Sequence, residues 1–174
     1  MEENEPVQLE FQLLDVRSQR VPNPIRFRIG DLDLLGWGDP PGTVRPRPGP
    51  WMRLEIPNFA TDGLASLRVA AKHGRALFDL DDYAQVLLFK RDGSAMRVAT
   101  STRDITLTAD LNHLLEAWVS FHDRAFRSLQ AIFPGLKMSD RSWNVDSAQK
   151  EIESRLPSRD WDSHFDEYGY LFEG

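Results

Sequence analysis

The chain has 174 residues, a net charge of −6 and no cysteine. The length favours one domain, expected to span residues 1–174, with chain enough to bury about two-thirds of its unfolded surface without metal or disulfide support. The missing cysteines exclude disulfides, thiolate catalysis and Cys-based zinc centres, and no apolar run approaches the roughly 20 residues of a spanning helix.

Met1 to Pro6 are acidic and polar, without the basic-then-apolar pattern of a secretory leader. A cytoplasmic protein with no membrane partner is therefore expected. Charge is unevenly spread. Residues 1–16 hold five acids and no base, and residues 160–174 do the same, leaving 17 acids against 21 bases, or +4, between them. Two acidic ends flank a mildly basic body. Either the ends lie against that body, or they form a negative face for a positive partner.

In chain order, Val7, Leu9, Phe11 and Leu13 alternate and predict a strand within Val7 to Val16. Pro22-Asn23-Pro24 breaks it. Ile25 to Ile29 alternates with Arg26 and Arg28 outward, Gly30-Asp31 turns, and Leu32 to Trp37 returns, giving a three-stranded meander. Residues 38–50 hold five prolines and three glycines and predict a loop. Trp51 to Ile56 reads as a strand ended by Pro57 and Asn58.

Thr61 or Asp62 is expected to cap a helix closed by Gly74, with Lys72 and His73 suited to its C-terminal dipole. Arg75 to Leu80 predicts a short strand, Tyr83 to Phe89 a central one. Asp92-Gly93 suits a two-residue hairpin turn into Ala95 to Thr100, and Asp104 to Thr108 adds a short strand. From Ala109 to Phe133 the positions Leu111, Leu114, Leu115, Trp118, His122, Ala125, Phe126, Leu129 and Ile132 recur at helical spacing. Ser147 to Leu156 predicts a further helix, capped by Asp146 with Gln149 three later. The fold class is α+β: a mainly antiparallel sheet of about six strands, one long helix on a face, and two shorter helices.

No catalytic, cofactor or metal site is expected. His113 and Glu116 share a helix face, but His122 lies about 13 Å further along the axis, and the fourth histidine, His164, is remote in sequence. Asp79, Asp81 and Asp82, and Asp31 with Asp33, are carboxylate groupings that a hydrolase can use and that ordinary turns also use. Nucleophile and phosphate-loop motifs are missing. Arg17, Arg20, Arg26, Arg28, Arg45, Arg47 and Arg53 near Trp37 and Trp51 suggest a single-strand-binding stripe, against which a pI of about 5.2 argues. The plainer reading is a charged edge strand.

The C-terminal segment at 157–174 carries Trp161, Phe165, Tyr168, Tyr170 and Phe172 beside Asp160, Asp162, Asp166, Glu167 and Glu173. Five aromatics predict either a core-docked end or a protein interface anchored by rings and rimmed by charge. The expected partner-binding residues are Asp160, Trp161, Asp162, Phe165, Asp166, Glu167, Tyr168 and Tyr170.

The hairpin "YAQVLLFKRDGSAMRVAT" followed by "LNHLLEAWVSF" resembles the strand-turn-strand-helix portion of the Smi1/Knr4-like immunity group. The likeness covers about a quarter of the chain, and the strand-rich N-terminal half departs from that group. The resemblance implies a cytoplasmic, non-enzymatic bacterial protein, with no cofactor, that binds a basic toxin domain and occludes its active site.

Overall fold

The computed structural model describes residues 5–35, 51–80, 86–100, 105–136 and 144–155. Among them are eight strands and three helices: β1 Val7–Phe11, β2 Asn23–Ile29, β3 Leu32–Asp33, β4 Met52–Leu54, α1 Ile56–His73, β5 Arg75–Asp79, β6 Val86–Asp92, β7 Ala95–Thr100, β8 Ile105–Asp110, α2 Leu111–Ile132 and α3 Val145–Arg155. The class is α+β with antiparallel pairing throughout, and the strands divide into two four-stranded sheets.

In the first sheet β2 is the inner strand. β1 lies along one side, with Leu9 opposite Phe27, while β3 and β4 share the other side. The sequence reads correctly here: Ile25, Phe27 and Ile29 are buried, and Arg26 and Arg28 between them are half-buried on the opposite face. The second sheet is a meander in the order β5-β6-β7-β8. Its hairpin turn sits one residue later than expected, because Asp92 pairs with Ala95 and leaves Gly93-Ser94 as the loop. Gly93 takes φ 61°, which glycine adopts without steric cost.

Two helix starts also differ from expectation. The helix expected to be capped by Thr61 or Asp62 begins at Ile56, after Glu55. Pro57 ends nothing. Its missing N–H falls in the first turn, where helical N–H groups have no intrahelical acceptor. Thr61 is consequently buried inside the helix. In α3 the cap is Asn144, whose Oδ1 accepts from Ser147 N at 3.0 Å, and Asp146 stands in the first turn. The C-terminal end of α1 follows expectation: Gly74, at φ 96°, donates its N–H to Ala70 O at 2.8 Å. Asp110 caps α2 by accepting from His113 N at 3.0 Å.

One continuous core joins both sheets to all three helices. Its centre is Trp118 of α2, which is fully buried. The indole meets Phe27 from the first sheet edge-on at 5.2 Å and Phe89 from the second at 6.1 Å, and stacks on Phe59 of α1 at 5.1 Å. α1 runs between β5, α2 and α3 and is buried around most of its circumference. Polar ties fix the outer layers. Arg124 of α2 donates to Leu9 O at 2.8 Å, and Lys72 at the end of α1 meets Glu153 of α3 at 3.4 Å. Among the described residues, no helix is long and apolar enough to cross a membrane.

Candidate functional site

The expected partner-binding residues Asp160 to Tyr170 lie outside the described residues, as do the loop 38–50, Trp37, Arg45, Arg47, Asp81, Asp82, Tyr83 and His164. The remaining candidates are located as follows.

Arg26 and Arg28 do not lie on an edge strand, because β2 is flanked on both sides. Arg26 Nε donates to Asp33 Oδ1 at 2.8 Å, and its guanidinium lies 6.0 Å from the Trp51 ring centre. The Asp33 carboxylate raises the Arg26 pKa above its ordinary value. Part of the arginine stripe is therefore an internal ion pair with a ring beneath it. Arg17 is likewise joined to Asp15 at 2.7 Å, and that contact holds the Asp15 carboxyl below the usual carboxylate range.

The histidines are dispersed. His113 is exposed in the first turn of α2, and Glu116 is exposed one turn later. His73 Nε2 is 3.8 Å from Glu153 Oε1, an α1–α3 contact. His122 is buried, and desolvation lowers its pKa although Asp123 opposes the shift. Among the described residues, no group of three or more His, Asp and Glu is arranged to hold a metal ion.

One carboxylate expectation falls in a concave site, with different company. A cleft of about 180 Å³ opens where β4 enters α1, beside the end of β5. Leu54, Glu55, Asn58, Phe59, Asp62, Phe78, Asp79 and Leu80 line it. Asp79 therefore shares the cleft with Glu55 and Asp62, and Asn58 Nδ2 donates to Glu55 Oε2. Glu55, Asn58 and Asp62 recur at three- and four-residue spacing, so they share one face of the helix start. Placing Pro57 in the first turn of α1 was the signal that would have found them. The volume is below the roughly 300–1,000 Å³ of most small-molecule sites. Its lining sets three acidic side chains beside the rings of Phe59 and Phe78, and Asp62 and Asp79 each take part in a further polar or electrostatic contact.

Compared with known proteins, the sequence matches no family model and no curated protein, and the fold matches no solved structure.

Proposed function

We propose that this chain is a non-enzymatic binding protein that holds and neutralises a basic protein partner, as bacterial immunity proteins do with toxins, in the cytoplasm. The observation that carries the reading is the charge pattern: ten acids and no base in residues 1–16 and 160–174, with five aromatics in the second stretch. Acids of this kind speed encounter with a basic surface, and Trp and Tyr anchor the contact once formed. The cleft of Glu55, Asp62 and Asp79 adds a second negative feature of the same preference. The resemblance of the hairpin and following helix to the Smi1/Knr4-like immunity group supports the toxin class of partner.

The test is purification from the native host through a tag at Met1, with mass spectrometry of what co-purifies. A stoichiometric basic protein is expected. Asp162→Lys with Asp166→Lys should abolish its capture and leave the melting temperature unchanged. Capture that survives both substitutions removes the terminal segment from the interface, and a preparation with no protein partner overturns the reading.

A small hydrolase is the second reading, favoured by the meeting of Asp79 with Asp62 and Glu55 in one cleft. Hydrolysis of ester or phosphate-ester probes by the chain, lost in Asp79→Asn, would favour it. The nucleic-acid reading is weakened by the pairing of Arg26 with Asp33.

A further inference from the structure

β1 ends the first sheet, and its backbone faces two ways. Gly30 N donates to Pro6 O at 2.9 Å and Gln12 N to Pro24 O at 3.0 Å. The even-numbered positions, Gln8 and Glu10 among them, therefore exchange ladder bonds with β2. Val7, Leu9 and Phe11 lie between those pairs and direct their N–H and C=O groups away from β2. Arg124 of α2 confirms the direction, since its Nη2 reaches Leu9 O at 2.8 Å from outside the ladder. Among the described residues, no strand pairs with β1 on this side.

The other edges offer less to an added strand. β3 and β4 are two and three residues long. Arg75 and Asp79 of β5 and Thr106 of β8 each take part in a further polar or electrostatic contact. An unpaired edge recruits extended chain unless something covers it, and charged side chains are a usual cover. Arg124 has that position over β1. It is itself exposed, it also donates Nε to Ser120 O at 3.3 Å, and Leu9 beneath it is 3% exposed. An exposed arginine exchanges such bonds for bonds to water at small net cost.

We infer that the outer edge of β1 is a strand-addition site, closed by Arg124 in the free chain, whose occupant is an extended segment of another protein with cations on one side and apolar residues on the other. Alternate side chains of an added strand fall beside Gln8 and Glu10 on the outer face, and the rest beside Val7 and Phe11, which are half-buried toward α2. Charge selects the cations. Residues 5–16 hold Glu5, Glu10 and Asp15 and no base. Glu10 stands opposite Arg26, which already bonds Asp33. A second copy of β1 is the poorer occupant, because it brings the same acids and no base. The occupant's charge agrees with the partner proposed above, yet the site uses no residue of 160–174.

Amide hydrogen exchange of the isolated full-length protein tests this, with the end-blocked peptide Lys-Val-Lys-Ile-Lys-Val-Lys as probe. In the free protein the amides of Gln8 and Glu10 should exchange slowly and those of Val7 and Phe11 rapidly. Peptide at about nine times its dissociation constant should slow Val7 and Phe11 about tenfold, and the same peptide with Glu for Lys should not. Arg124→Ala should bind the probe several-fold more tightly, because Leu9 O no longer has to be vacated. Val7→Pro should bind none, with the circular-dichroism spectrum unchanged, since the N–H it removes lies outside the ladder with β2. Slow exchange at Val7 and Phe11 before peptide is added means that another part of the chain already covers the edge, and overturns the inference. Equal affinity of the parent and Arg124→Ala chains, or for the Lys and Glu peptides, overturns it as well. None of these readouts depends on capture from the native host, so failure here and failure of the proposed function are distinguishable.

Discussion

Gly63 of α1 and Trp118 of α2 meet where the two helices cross, and the indole occupies the space that any other residue at 63 would fill. A methyl group on Gly63 would lie 2.6 Å from Trp118 Cε2 and 2.9 Å from Nε1, inside van der Waals contact. Gly63→Ala raises helix propensity by about 1 kcal/mol in a solvated helix. Here the ring cannot retreat, because Phe27, Phe59 and Phe89 hold it from three other elements. The expected outcome is a net loss of about 1–3 kcal/mol, the usual cost of overpacking. Urea unfolding of the two proteins at equal slope measures it.

Trp118 should be the most costly single truncation in the core. Trp118→Ala removes the group that joins both sheets to both long helices, with an expected loss of about 3–5 kcal/mol. Trp118→Phe should cost markedly less. It keeps most of the apolar area and removes an indole N–H that is buried without a hydrogen-bond partner. The smaller ring also vacates space beside residue 63. The double variant Gly63→Ala, Trp118→Phe should therefore be less destabilised than the sum of its singles, and a double-mutant cycle reads the coupling directly.

Asn23 holds the segment that connects β1 to β2. It is 3% exposed. Its Oδ1 accepts from Leu14 N at 2.9 Å and Asp15 N at 2.8 Å, while Nδ2 donates to Asp15 O at 2.9 Å and Val21 O at 3.2 Å. One side chain thus does the work of a turn for a loop with no ladder of its own. Asn23→Ala removes four hydrogen bonds and should cost about 2–4 kcal/mol, at roughly 0.5–1 kcal/mol for each. Hydrogen exchange should accelerate at Leu14 and Asp15 first. Asn23→Asp restores only the acceptor and should recover protection there partially.

The same residue shows where sequence reading stops. Alternation made β1 and β2 legible, because a half-buried strand imposes a period of two on its own residues, while β6 showed as an apolar run and β7 through the Asp92-Gly93 turn signal. The apolar spacing of α2 identified the long helix, and seven of its positions are buried toward the core. Asn23 looked like part of a break between prolines. What makes it structural is a contact with residues eight and nine positions earlier, which no local pattern encodes. Glu55, Asn58 and Asp62 were missed for a different reason. Pro57 is compatible with the end of a strand and with the start of a helix, and the choice decides whether those side chains share a face. The division of the strands into two sheets is not local either: the sheets meet through Trp118, which touches Phe27 and Phe89, 62 residues apart in sequence.

His122 gives the fold a dependence on pH whose sign follows from burial. Its side chain is buried, with Asp123 Oδ1 3.7 Å from Nδ1. Desolvation lowers its folded pKa below the ordinary value of 6.5, and the Arg68 charge acts in the same direction, while Asp123 opposes both. The folded state therefore binds a proton less readily than the unfolded chain. Stability from this group is complete above the unfolded pKa, near 6.5, and declines as pH falls below it toward the lower folded value. Urea midpoints should drop between pH 7.5 and pH 5.5. His122→Gln should be less stable than the parent at pH 7.5, since it disturbs a packed site, yet lose less between the two pH values. An equal drop in both proteins would assign the dependence to other groups. The carboxylates of Asp15 and Glu153, whose folded pKa values are lowered by Arg17 and by Gln149 with Lys72, contribute in a separate window. Their effect is present above the ordinary carboxylate pKa and lost only as pH falls through the lowered folded values, so it does not overlap the histidine interval.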